Sequence, residues 1–293
     1  MGSVLVAPSF LCIFTGPDFF SSDGAKNIWY IIWPAIFNVG WASVQIAHLA
    51  IVNQLSYSQR KRDQMVVWRN GFTYMANIFV LALSMALFLI VPNNVLQFQI
   101  LALTCVGLGS VTTIFYIIKV KEPSLAKEAI EREANYQKAI GRVEKKDGNA
   151  KGKTPGDWLK EAQFYIFGLV YMFARISLNT TATMMPLYLS VVSKFEAPAG
   201  KDTPVAIAAV PLASYICSLI FSVTLQNYIT QRFRNRLIPM IMSIFVTAIG
   251  SMPMAFLGSG SWRYSIYALA AIQGVGNALM LNTGTSCISD VIG

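Results

Sequence analysis

A chain of 293 residues with 55% hydrophobic and only 13% charged side chains is not a single water-facing globule, since soluble domains average about 25% charged. Its formal net charge of +9 raises a nucleic-acid reading, but the basic residues are sorted between apolar runs, which makes that charge topological and excludes nucleic acid as the partner. Continuous apolar runs of about 20 residues also rule out the alternating pattern of a β-barrel, so the expected fold is an all-α membrane protein.

The predicted spans lie at 3–16, 28–53, 68–91, 97–118, 164–192, 204–227, 237–257 and 264–288, about eight in all. The first, Gly2 to Gly16, is shorter than the ~20 residues a crossing needs and lacks the basic start of a signal peptide. The third and fourth share the longest charge-free stretch, 48 residues from Gly71 to Ile118. Pro92-Asn93-Asn94 supplies a turn signal near its middle.

The connections alternate in sign. Segment 55–69 carries Arg60, Lys61, Arg62 and Arg69 against Asp63, and segment 228–236 carries Arg232, Arg234 and Arg236 without an acid. The long connection 119–163 holds eleven Lys or Arg and eight Asp or Glu. Eighteen basic residues thus share one side, and only Lys26, Lys194, Lys201 and Arg263 take the other. The positive-inside rule places the eighteen in the cytosol. The expected location is an integral, multi-pass one, with lysosomal or endomembrane and plasma membrane left open.

In the long connection, Glu122 to Val143 has helical composition with Leu125, Ala129, Tyr136, Ala139 and Ile140 loosely on one side. Lys145 to Lys153 then reads as a flexible linker. The expected organisation is a partial N-terminal helix bundle (1–118), a cytosolic linker with an amphipathic helix (119–163) and a partial C-terminal bundle (164–293). With spans lying at both ends, the expectation is a fragment or truncated gene product. Two further spans on each side would make six plus six.

Polar residues within spans are the candidate site. Arg175 lies about 16 Å along its span, near the midplane, where a charge costs about 2.5–3.5 kcal/mol on insertion scales. Tyr171, Arg175 and Asn179 share a helix face at i, i+4 and i+8, followed by Thr180, Thr181 and Pro186, a composition suited to a kinked, cavity-lining helix. Two readings stand: contact with a solute or coupling ion, or an ion pair locking two helices. Both expect an acidic partner, yet no Asp or Glu occurs within a span away from its ends.

Asn38, Trp41, Gln45 and His48 form a second stripe at i, i+3, i+7 and i+10. His48 is the one histidine. A histidine with an ordinary pKa of about 6.5 can relay protons, although a lone one in a span also serves as a hydrogen-bonded packing residue. Asn70, Tyr74, Asn77 and Ser84 form a third stripe, and Gln273 with Asn277 a fourth, beside Gly274 and Gly276 that permit close helix approach. Cys12, Cys105, Cys217 and Cys287 are scattered without metal-ligand spacing and read as packing residues. With no paired carboxylates, metal set, nucleophile elbow or phosphate loop, no enzyme, metal or cofactor is expected.

Gly40 to Leu49 (GWASVQIAHL) resembles the fourth helix of the glycoside-pentoside-hexuronide:cation symporter group of the major facilitator superfamily. Supporting matches are Arg69, Phe72, Thr73, Ala76 and Asn77, then Phe164-Tyr165, Gly168, Tyr171-Met172, Arg175 and Asn179. Pro211-Leu212, Tyr215, Gly274, Gly276 and Ser289 to Gly293 extend the likeness across nearly the whole chain. The resemblance implies a partial major facilitator fold, about helices three to ten of twelve, with alternating access and a mid-membrane solute site. One departure is Asn53-Gln54, where the group usually has Pro-Glu.

The function so expected is secondary active transport of a small polar solute, sugar-like or amino-acid-like (cysteine-like). Arg175, Asn179, Tyr171, Asn38, Trp41, Gln45, Asn77 and Asn277 would bind the solute and His48 would carry coupling. The partners are the lipid bilayer, a small-molecule solute, and H+ or Na+ as the open choice of coupling ion. The competing expectation is a membrane receptor or scaffold that does not transport, against which the four-plus-four split of spans argues.

Overall fold

The computed structural model describes residues 2–16, 22–55, 58–139, 160, 162–196, 204–233, 235–257 and 260–292, and every regular element among them is helical. The linker tract Lys145 to Lys153 and the ends of the chain at Met1 and Gly293 lie outside the described residues.

Helices α1 (Gly2–Phe14) and α2 (Asp23–Leu55) pack antiparallel. Trp29 Nε1 donates to Cys12 O at 3.0 Å, and Phe10 meets Phe37 at 5.5 Å between ring centroids. Helix α3 (Gln59–Ile90) leads through Val91, Pro92 and Asn93 into α4 (Asn94–Lys119). The predicted turn is a helix cap: the Asn93 side chain accepts from Val95 N at 2.9 Å and Leu96 N at 3.3 Å, satisfying donors that a helix start leaves free. Helix α5 (Glu122–Ala139), with Ala129 buried, touches α2 and covers the described part of the predicted connection helix; Ile140 to Val143 lie outside the described residues.

Helix α6 (Ala162–Leu187) runs into one π turn at Tyr188–Val192, just past Pro186. The Tyr188 hydroxyl lies 2.5 Å from Met254 O and 2.9 Å from Leu257 O, which pins this distorted end. Helices α7 (Ala206–Thr224), α8 (Gln226–Arg232) and α9 (Leu237–Ser251) follow, α9 continuing as a 3-10 turn at Met252–Phe256. A second 3-10 turn, Ser261–Ser265, opens α10 (Ile266–Ile292). Helix α10 packs against α7 and α9, and also meets α6 and α3; α3 in turn lies along α7.

Among the described residues, six helices (α2, α3, α4, α7, α9 with its 3-10 turn, and α10) are long and apolar enough to cross a membrane. The other two predicted spans coincide with α1, of 13 residues, and α6, which carries Arg175, Asn179 and three threonines among its 26. The molecule is thus a multi-pass membrane protein. One boundary differs from expectation. Helix α3 begins at Gln59, nine residues before the predicted span, so Arg69 sits inside a helix and not in a loop. Charge marks where a helix leaves lipid; it does not mark where helical backbone starts.

Burial runs opposite to that of a water-soluble protein. Phe115, Ile117 and Ile118 on α4 are 63%, 69% and 66% exposed, whereas Asn70, Ser222 and Asn282 are 2%, 0% and 1% exposed. In water this would strand apolar surface and bury polar groups; in a bilayer the apolar residues meet acyl chains and the amides pair with one another.

Close approach at α10 depends on two glycines. A Cβ on Gly274 would lie 2.2 Å from Ser214 O of α7, and one on Gly276 would lie 2.4 Å from Thr247 Oγ1 of α9. Ser218 Oγ donates to Gly274 O at 2.7 Å across the same contact. Gly274→Ala is therefore expected to cost about 1–3 kcal/mol, because the clash is with backbone that has nowhere to shift. Thermal unfolding of the detergent-solubilised protein measures this, with Gly107→Ala, where a Cβ meets open space, as the neutral comparison.

Candidate functional site

Trp41 and Gln45 stand one turn apart on α2, and each receives an arginine from a different helix. Arg69, ten residues beyond the start of α3, donates through Nη2 to Gln45 Oε1 and through Nη1 to Asn70 Oδ1 at 3.3 Å. Arg175 on α6 donates through Nε to the Tyr171 hydroxyl at 3.0 Å. Its guanidinium carbon lies 5.5 Å from the Tyr171 ring centroid and 5.9 Å from that of Trp41. Both contacts fall within cation–π range.

The two cations thus reach α2 one turn apart, Arg69 at Gln45 and Arg175 at Trp41. The expected acidic partner for Arg175 is not what the structure supplies. Among the described residues a hydroxyl and two aromatic faces take that place, because the spans contain no Asp or Glu to offer.

From Asn70 the polar contacts continue into the second half of the chain. Asn70 Nδ2 donates to Asn282 Oδ1 of α10 at 2.7 Å, and Asn282 Nδ2 donates to Ser222 Oγ of α7 at 3.0 Å. A line of hydrogen bonds therefore runs Gln45, Arg69, Asn70, Asn282, Ser222, through four helices. One turn beyond Asn70, Tyr74 is 4% exposed, and its ring centroid lies 6.3 Å from that of Tyr215 on α7. Its hydroxyl makes no hydrogen bond among the described residues.

Of the residues expected from sequence, Trp41, Gln45, Tyr171 and Arg175 come together here. Asn38 instead bonds its own helix, Nδ2 donating to Pro34 O at 2.8 Å. His48 is exposed on α2, with its ring 5.9 Å from Tyr116 of α4. Asn77 and Asn277 are half-buried and Asn179 is exposed; their side chains make no hydrogen bond among the described residues. Sequence reasoning missed Arg69, Asn282 and Ser222 as site residues. Arg69 was hidden by its nearness to three other basic residues, and Asn282 was visible as an amide in an apolar run. Ser222 had no signal, since serine is common in spans.

A separate cavity of about 380 Å³ lies at the start of α3, lined by Arg60, Asp63, Gln64, Asn227, Thr230 and Arg236. There Arg236 Nη2 donates to both carboxylate oxygens of Asp63, at 3.0 and 2.7 Å, tying α3 to the segment before α9. This is the end that the basic connections assign to the cytosol, about 13 Å along α3 from Arg69 by helix rise.

A family model described as "MFS/sugar transport protein" matches residues 1–293. Among curated proteins, the chain is 26% identical over 328 aligned positions to "Major facilitator superfamily domain-containing protein 12" of Equus caballus. The proteins of the same name from Mus musculus and Homo sapiens are 25% and 24% identical. Each alignment covers 100% of this chain and 62% of the relative, so the chain spans about three-fifths of the length of the curated relatives it matches. No solved structure matches it.

Proposed function

Because the chain belongs to the MFS/sugar transport protein family, we propose that it is a secondary active transporter of a small polar solute, working by alternating access. In this reading residues 1–118 and 164–293 are two bundles that rock about the solute, and the segment 119–163 joins them in the cytosol. The solute sits among Trp41, Gln45, Arg69, Tyr171 and Arg175, with Asn38, Asn77 and Asn179 as further polar groups on the same helices and Asn277 on α10.

The observation that carries this reading is the line of hydrogen bonds from Gln45 to Ser222, contributed by α2 and α3 on one side and α7 and α10 on the other. Polar side chains are costly in spans and persist where they converge on one another or on an aqueous solute. The Asp63–Arg236 pair adds support, since it ties the same two sides at one end and would part when that end opens.

Tracer flux into proteoliposomes containing the natural gene product tests the proposal. Accumulation of a sugar-like or amino-acid-like (cysteine-like) tracer supports it. Saturable binding without accumulation would instead favour the receptor or scaffold alternative. For coupling we assign His48, the one residue in these spans that ordinarily titrates near neutrality. His48→Gln is then expected to flatten the pH dependence of uptake while uptake itself persists. A pH profile identical to that of the wild type would leave Na+ as the coupling ion.

A further inference from the structure

Among the described residues no carboxylate pairs with either arginine. No carboxylate lies within any span away from its ends, so Arg69 and Arg175, which reach α2 one turn apart, have amides, a phenol and an indole as their partners among the described residues. Like charges in a poorly hydrated site repel and draw in a counter-charge.

Their donors are also unequally committed. A guanidinium has five N–H donors. Arg69 spends two of its nitrogens on Gln45 and Asn70, which fixes its plane. Arg175 is half-buried and spends only Nε, on Tyr171; its Nη1 and Nη2 make no hydrogen bond among the described residues. That leaves the paired N–H edge that matches two oxygens on one acceptor.

A third group points the same way. The Tyr74 hydroxyl is buried without a partner, and a buried hydroxyl left unmade costs about 1–3 kcal/mol. It lies on α3 one turn from Asn70, and its ring belongs to the core cluster with Phe221, Ala278 and Leu279. A ligand that accepts a hydrogen bond would relieve this cost.

We propose that Arg69, Arg175 and the Tyr74 hydroxyl form a receptor for an oxyanion, so that the solute taken at this site carries a carboxylate or a phosphate ester. This rests on the transporter reading and narrows its substrate class. Arg175 supplies the two-pronged contact, Arg69 the second charge held rigidly by α2 and α3, and Tyr74 a neutral donor. Trp41 and Tyr171 cover the guanidinium of Arg175 and hold its plane through their rings.

The test uses the purified natural gene product and four probes at matched ionic strength: succinate, glycerol 3-phosphate, glucose and choline. The readout is the shift each produces in the midpoint of thermal unfolding. At least one of the two anions is expected to raise the midpoint while glucose and choline do not, and the better anion identifies the oxyanion. Arg69→Gln should abolish that shift. Tyr74→Phe keeps the ring and its packing, so its own midpoint should be unchanged or higher, while the anion binds about tenfold more weakly. Stabilisation by neither anion, equal stabilisation by glucose or choline, or wild-type anion binding in both variants would overturn the proposal. Flux of the same probes separates this from the broader reading. An anion that binds but never accumulates sustains the oxyanion receptor and removes transport; glucose accumulation indifferent to both anions does the reverse.

Discussion

Arg175→Ala is expected to lower solute uptake at least tenfold at equal amounts of folded protein, with little loss of thermal stability. The expectation follows from two opposed magnitudes. A charge near mid-span costs about 2.5–3.5 kcal/mol on insertion scales, so its removal relieves the membrane of an expensive group. What the fold loses is one hydrogen bond to Tyr171 and two cation–π contacts, of which the exposed kind contribute roughly 0.5–1 kcal/mol each. These terms nearly offset, which leaves stability close to neutral. Transport does not share that cancellation, because a charged hydrogen bond to a solute contributes about 1.5–3 kcal/mol, or roughly ten- to a hundredfold in rate. Arg175→Lys should recover part of the uptake, since it restores charge but not the paired N–H edge. Uptake by Arg175→Ala at the wild-type rate would remove this residue from the solute path. A steep loss of stability would mark it as a structural clamp.

The second large effect is expected at Asn282, which donates to Ser222 and accepts from Asn70 with 1% of its own surface exposed. Asn282→Leu preserves approximate volume but leaves Asn70 Nδ2 and Ser222 Oγ without partners. At about 1–3 kcal/mol for each buried group left unpaired, the single substitution should cost about 2–6 kcal/mol. The double variant Asn70→Leu with Asn282→Leu should recover part of that loss, because both ends of the bond disappear together. Unfolding in detergent or mixed micelles measures both. Interhelical hydrogen bonds in membrane proteins average only about 0.6 kcal/mol in double-mutant cycles. A coupling energy near that value would mean that the line from α3 to α10 is ordinary helix glue. A larger one would mark it as a specific joint between the two halves.

Much of this molecule was legible in its residues. The helical class and the approximate positions of the apolar helices follow from hydropathy, because lipid acts on each segment separately, although α3 starts nine residues earlier than its charge pattern suggests. The triad of Trp41, Tyr171 and Arg175 was half legible. Tyr171 and Arg175 meet at i, i+4 on one helix, a local contact that helical geometry dictates. That Trp41 supplies the other face is a contact between elements far apart in sequence. The acid expected beside Arg175 illustrates the limit: the cost of a charge in a span is computable from sequence, but which groups stand beside it, here a hydroxyl and two aromatic faces, is decided between helices.

Arg69 shows the opposite failure. Four residues of the same sign near a span boundary looked like one cytosolic cluster, and three of them, Arg60, Lys61 and Arg62, lie in the first turn of α3, where a cytosolic position is in keeping with their charge. The fourth lies about two turns further in and faces Gln45 and Asn70. What the chain alone determined is where helices form and which of their groups are too polar for lipid, since propensity, hydropathy and charge act along the backbone. Only tertiary structure decided which of those polar groups meet. The choice among Asn70, Asn77, Asn277 and Asn282 depends on the rotation and close approach of α3, α7 and α10. That approach is in turn set by contacts such as Gly274 on Ser214, which no single segment contains.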